Sequence, residues 1–180
     1  AWPAVARARQ NGAKIGIVIC DLLPVTHPQF FRPDVTVSFA LCLNQVLKQG
    51  DFFITISDTV CDTLREFAMR HGPSRLRSAA FSSFRLGSTL DMVGRKKKPR
   101  ESLRQAFAGD ADSQPYLTVG TIEPRKNHVL LIDAFERVWK QDPNARLVIV
   151  GRIGWLCESL VNRIVNHPLY QKSLFLFNDV

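Results

Sequence analysis

The chain has no hydrophobic run approaching the roughly 18 consecutive apolar residues of a bilayer-spanning helix. It also lacks the spacing of a cysteine site. Its four cysteines stand at 20, 42, 61 and 157, with no CxxC pair among them. That argues against a zinc site or a disulfide frame and predicts four buried, reduced thiols. Acidic residues are in short supply: 16 Asp+Glu against 24 Lys+Arg leave a net charge of +8. The excess suits a polyanionic ligand, an acidic membrane surface or nucleic acid, and charge alone does not choose among them. No aromatic-basic platform or nucleic-acid motif accompanies it, so no nucleic-acid partner is expected. Internal repeats are absent. No signal peptide precedes the first element, and a cytoplasmic location is the expectation.

What the chain does have is apolar material, 46% of its 180 residues. That is enough for a core in one large domain or two small ones. Ala1 to Gln10 reads as the tail of a helix, with Gly12 at its C-terminal cap. Lys14 to Cys20 is nearly continuously apolar and predicts a strand buried on both faces, as in a parallel sheet. The segment Asp21 to Asp34 carries prolines at 24, 28 and 33 and predicts a long loop with a role of its own. Val35 to Gln49 places Phe39, Leu43, Val46 and Leu47 on one helical face, and Gly50 closes it. Phe52 to Ile56 is the next strand. Ser57 or Thr59 can cap the following helix, whose apolar face is Val60, Leu64, Phe67 and Ala68. Gly72 and Pro73 stop that helix, and Ala79 to Leu86 alternates weakly as one more strand.

From Gly87 to Gln114 the pattern dissolves, apart from the basic run RKKKPR at 95–100 and a short helix predicted at Glu101 to Phe107. This suggests one domain over 1–87, a basic linker over 88–114 and a second domain over 115–180. Order restarts at Tyr116 to Val119. A helix over His128 to Lys140 follows, with Leu131, Phe135 and Val138 on one face. The strand Arg146 to Val150 comes next, then a turn at Gly151 to Trp155. A helix over Cys157 to Asn166 and a strand at Leu174 to Phe177 complete the pattern. Strand, helix and strand at this spacing make right-handed βαβ units. Both halves read as Rossmann-like, doubly wound α/β sheets, whose ligands lie at the carboxyl ends of the strands. Gly120, Gly151 and Asp21 belong there.

The chemistry concentrates in Tyr116 to Asn127, YLTVGTIEPRKN. Gly120 permits a sharp turn at the strand end. Pro124 bars a regular helix through the loop. Arg125 and Lys126 follow, and Asn127 is a good N-cap. Two cations beside a fresh helix N-terminus form an anion site suited to phosphate. Arg125 can hold two oxygens at once and Lys126 acts as a point charge. Adjacent cations are also common on solvated loops, and the residues alone leave that reading open. Gly120 and Gly151 serve as turn glycines in either case. Arg152 is placed near the same strand ends or on the plain surface. His27 on the first-half loop is a sugar contact, a base or a structural histidine. His128 follows the cap, where such a residue either approaches the phosphates or, more commonly, is exposed, and Trp139 is expected to be a packing residue.

VGTIEPRKNHVLLIDAFERV, followed by ARLVIVGRIGW, resembles the second domain of family-4 retaining glycosyltransferases. The likeness is strongest to mannosyl- and rhamnosyl-type enzymes of bacterial surface-polysaccharide (O-antigen) assembly. ICDLLPVTHPQFF before FITISDTV, and FRLGSTLD, resemble the later part of the first domain. The resemblance implies the GT-B architecture, two Rossmann-like domains across a cleft, both incomplete in this chain. It implies a nucleotide-diphosphate sugar as donor, bound mainly to the second domain, and a saccharide or lipid-linked acceptor on the first. It casts Arg125 and Lys126 as the cations that stabilise the leaving diphosphate. Gly120, Thr121, Asn127, Gly151, Arg152, Asp21 and His27 become substrate contacts, with retention of configuration and neither metal nor cofactor. RKKKPR would be a solvated linker or lean on anionic lipid at the inner face of the membrane. Thr121 stands where many relatives carry Arg, and Cys20 where many carry His or Tyr. The acidic pair that holds the donor in the family is expected beyond Val180, and the family's N-terminal glycine-rich loop before Ala1.

Overall fold

The computed structural model describes residues 2–87, 100–107 and 115–178. The chain divides into two units, Ala1–Met92 and Val93–Val180. Each is built on a three-stranded, all-parallel sheet.

The first unit opens with α1 (Trp2–Gln10), closed by Gly12 at φ +81°. Its sheet is β1 (Gly16–Ile19), β2 (Phe52–Thr55) and β3 (Ala80–Ser83), in that order across the sheet. The expected burial of the first strand on both faces is corrected here. β1 lies at the sheet edge and alternates between exposed and half-buried, with Val18 57% exposed. The proline-rich segment is not a plain loop. It folds into α2 (Leu23–Thr26) and a 3₁₀ turn (Pro28–Phe30), and Pro33 then begins α3 (Pro33–Gln49). All three prolines sit where a helical turn starts, the position at which a missing N–H costs least.

Ser57 caps α4 (Asp58–His71) by accepting from the Val60 N–H at 3.3 Å. Leu43 and Leu47 of α3, Leu64 and Ala68 of α4, Phe53 and Leu76 form the core of the unit. A guanidinium does unforeseen work there: Arg75 donates to the carbonyls of Leu47, Lys48 and Gly50 at 2.7–2.9 Å. It thereby satisfies the open carbonyl end of α3.

In the second unit, α5 (Glu101–Phe107) falls within the stretch expected as linker. Its Ala106 is fully buried, and the Ala106 carbonyl accepts from Arg146 at 3.3 Å. The sheet is β4 (Tyr116–Val119), β5 (Leu147–Val150) and β6 (Leu174–Phe177), in that order. The helices are α6 (His128–Gln141) and α7 (Glu158–Val165). Central β5 is buried through Ile149, whereas edge β4 leaves Tyr116, Leu117 and Val119 exposed. The buried stripe of α6 is His128, Ile132, Phe135 and Trp139, one position round from the predicted face. Trp139 secures it, donating from Nε1 to the Ala145 carbonyl at 2.7 Å. Arg163 of α7 reaches Asp133 at 2.6 Å and Glu136 at 2.8 Å on α6. Cys61 and Cys157 are buried as expected, but Cys20 and Cys42 are exposed. The half-open edge strand leaves Cys20 in solvent, and Cys42 falls on the outer face of α3.

Candidate functional site

The carboxyl ends of β4 and β5 meet at two glycines. Gly120 has φ +155° and Gly151 φ +152°, backbone geometry that favours glycine. A Cβ on Gly151 would stand 1.9 Å from the Gly120 carbonyl oxygen. The two strand ends therefore approach as only glycine allows. Pairing continues beyond them: the Ile122 N–H donates to the Arg152 carbonyl at 2.8 Å, and the Gly154 N–H to the Ile122 carbonyl at 2.9 Å. Ile122 is fully buried, so the loop is pinned from below.

From this anchor the chain enters a 3₁₀ turn, Pro124–Lys126, and then α6. The junction is Asn127, in the left-handed region at φ +51°, a conformation Asn tolerates better than most residues. Its side-chain oxygen accepts from the Leu130 N–H at 3.4 Å, a long cap. The amides of His128 and Val129 donate to no group among the described residues. They are open donors at the positive end of the helix.

The two cations behave differently. Arg125 is paired with Glu123, whose side chain is only 2% exposed, while that of Arg125 is 35% exposed. The guanidinium expected to hold phosphate is thus engaged by a buried carboxylate. Lys126 is exposed; its backbone N–H donates to the Glu123 carbonyl at 3.0 Å, but its ammonium makes no hydrogen bond or ion pair among the described residues. It lies over the strand-end glycine, its Cε 3.9 Å from where a Cβ on Gly120 would stand. Thr121 and Arg152 are exposed at the same end of the sheet.

His128 corrects the expectation of an exposed residue. It is 3% exposed, and its Nδ1 has no partner among the described residues. Burial holds its pKa below the ordinary 6.5; the charge of Lys126 adds to that and Glu123 opposes it. A cavity of about 160 Å³ adjoins the turn, lined by Glu123, Asn127, His128 and Cys157 among others. Arg125 and Lys126 do not line it.

The remaining predicted residues lie in the first unit. Asp21 sits just past β1, and its Oδ1 accepts from the Leu23 N–H at 3.0 Å, starting α2. His27 is exposed. Its Nδ1 is 2.9 Å from the Thr26 hydroxyl, and its ring stacks on Phe30 at 6.3 Å. The structure therefore gathers Gly120, Thr121, Arg125, Lys126, Asn127, Gly151 and Arg152 at one sheet end. Asp21 and His27 share the end of another. Most of the RKKKPR run lies outside the described residues. Glu123 is absent from the sequence expectations; an acid two positions before an arginine in a tight turn is the signal that points to it.

The chemical consequence is that an ammonium lies over a strand-end glycine and the helix that follows it in the chain opens with two free amides, groups that favour oxyanions. Comparison with known proteins shows what that segment is similar to. Residues 99–179 match the family of glycosyl transferases group 1. The group 1 match covers β4, β5, β6 and the whole PRKN turn. The chain is also similar to serotype-specific mannosyltransferases WbdA of Escherichia coli. Two of them are 28% identical over 174 residues and a third is 28% identical over 176. The matches cover 96% of this chain and 21% of each relative. The chain thus spans about a fifth of the length of the curated relatives it matches. Among the described residues no helix is long and apolar enough to cross a membrane.

Proposed function

We propose that the chain is part of a glycosyltransferase that moves a hexose, mannose- or rhamnose-like, from a nucleotide-diphosphate sugar to a saccharide or lipid-linked acceptor. Configuration at the transferred carbon is retained in this reading. The observation that carries it is Lys126, free of acids and laid over Gly120 beside the open first turn of α6. Negative charge grows on the diphosphate as the sugar leaves. A preset ammonium and helix amides offset that charge without having to reorganise. The role of Arg125 differs from the sequence expectation. Held by Glu123, it shapes the turn that presents Lys126.

The group 1 match and the mannosyltransferase relatives support this reading. Its test is a calorimetric titration of the chain with GDP- and UDP-sugars. Saturable binding of at least one supports the proposal, and heat from none of them refutes it. The engagement of Arg125 favours one second reading, a non-catalytic nucleotide- or phosphate-binding module. Sugar turnover by the longer polypeptide, lost on substitution of Lys126, separates the two.

A further inference from the structure

His128 opens α6, and its side chain has no part in the proposed reaction. The ring is 3% exposed, and its Nδ1 has no partner among the described residues. A buried imidazole nitrogen without a partner gives up its hydrogen bond to water and regains none, so packing alone does not account for a histidine here. The charged and titratable groups that face it are few. On the turn, Lys126 is positive, and the Glu123 carboxylate is paired with Arg125. Across the cavity of about 160 Å³, the segment that opens α7 contributes Cys157 and the Ser159 hydroxyl. Burial first, and Glu158 second, push the Cys157 thiol up and keep it protonated. The positive end of α6 adds its own field. The ring is therefore held neutral by burial and then by Lys126, with Glu123 opposing both.

An oxyanion on the open amides of His128 and Val129 changes this balance. Its charge offsets both Lys126 and the helix end, and the attraction of Glu123 for a proton on the ring remains. No other group at the turn can answer by gaining a proton near neutral pH. Lys126, Arg125 and Cys157 already carry theirs, and a carboxylate held by a guanidinium gains one only in acid. The imidazolium would also find acceptors, since the Glu123 carboxylate and the Ser159 hydroxyl line the same cavity as His128. We propose that the diphosphate of a nucleotide sugar binds this turn together with a proton, which the His128 ring takes up from solvent. A ring nitrogen lone pair forms the new N–H bond, the buffer acid loses that proton, and no bond of the ligand breaks. On release the proton returns to solvent. The site thus gains a second positive charge only while the anion is bound, in place of the Arg125 charge that Glu123 engages.

The proposal rests on the nucleotide-sugar reading above and adds a pH dependence to it. The ring's pKa is higher in the complex than in the free chain. Affinity therefore rises as pH falls through the bound value and levels off below the free one. The test is calorimetry of the full chain with GDP-mannose and with UDP-glucose, whose esterified phosphates do not titrate near neutral pH. Two buffers of unlike ionisation heat, at about pH 6.5, should reveal uptake of several tenths of a proton on binding. Kd should fall at least about threefold between about pH 8 and 6. His128→Gln should take up no proton and bind with a flat pH profile. In the parent, the His128 ring signal should move to the imidazolium position when ligand is added, while those of His27, His71 and His167 stay in place. That NMR measurement needs no substitution and stands if His128→Gln fails to fold. Binding without proton uptake, uptake that persists in His128→Gln, or a ring signal that does not move would each overturn the proposal and leave the proposed reaction standing. Binding of neither ligand would overturn the proposal together with that reading.

Discussion

Replacing Arg125 by Ala should destabilise the second unit even with no ligand present. The Glu123 side chain is 2% exposed, and its described partner is the Arg125 guanidinium. Removing one member of a fully buried pair costs about 3–5 kcal/mol, because the other charge is left uncompensated. The Arg125 side chain is 35% exposed, so solvent already screens part of the pair. The expected loss is therefore about 2 kcal/mol. Glu123→Gln in the same background removes the stranded charge and should recover most of it. Urea unfolding, followed by tryptophan emission, measures both variants, since Trp139 and Trp155 lie in this unit. With Glu123→Gln alone as the fourth protein, the double-mutant cycle isolates the pair from the separate effects of each substitution. The reasoning fails if Arg125→Ala lies within about 0.5 kcal/mol of the parent, or if the double variant is no more stable than the single one.

Other outcomes follow from the same geometry. Gly151→Ala forces a Cβ to within 1.9 Å of the Gly120 carbonyl oxygen at a φ of +152°. It should cost more than about 3 kcal/mol and expose the second unit to limited proteolysis. Arg75→Lys keeps the charge but loses the fork that spans three carbonyls. It should lower the urea midpoint of the first unit by an amount equal to about 1–2 kcal/mol. His128 is buried with its pKa depressed, so the unfolded chain takes up the proton first as pH falls. Stability of the second unit should therefore decline from about pH 6.5 downward and be flat above it, and His128→Gln should remove that decline. A parent whose unfolding midpoint is unchanged between about pH 7 and 5 contradicts the placement of His128.

The strand and helix order was legible in the sequence because buried parallel strands and amphipathic helices carry strong periodic signals. The four-residue β5 and the Ser57 cap are direct examples. Burial was less legible. β1 reads as a strand buried on both faces by composition, yet it lies at a sheet edge, and neighbours in space are not written in a local window. The face of α6 was misplaced by one position because His128 and Trp139, both polar-tipped, are part of its buried stripe. At the candidate site, Gly120, Lys126 and Asn127 could be placed from local turn chemistry. The partnership of Arg125 with Glu123 could not, since it depends on Glu123 turning inward beneath the loop. The contact between Asp58 and Ser83 at the ends of β2 and β3 was not legible either, because the two residues are 25 apart in the chain.

Lys126→Ala offers the most direct test of the central claim, in a paired titration of the variant and the parent with GDP and with guanosine. The account predicts that the variant binds GDP at least about tenfold more weakly, one charge-assisted contact being lost, and binds guanosine as the parent does. Equal weakening of both ligands, or undiminished GDP binding, would contradict it.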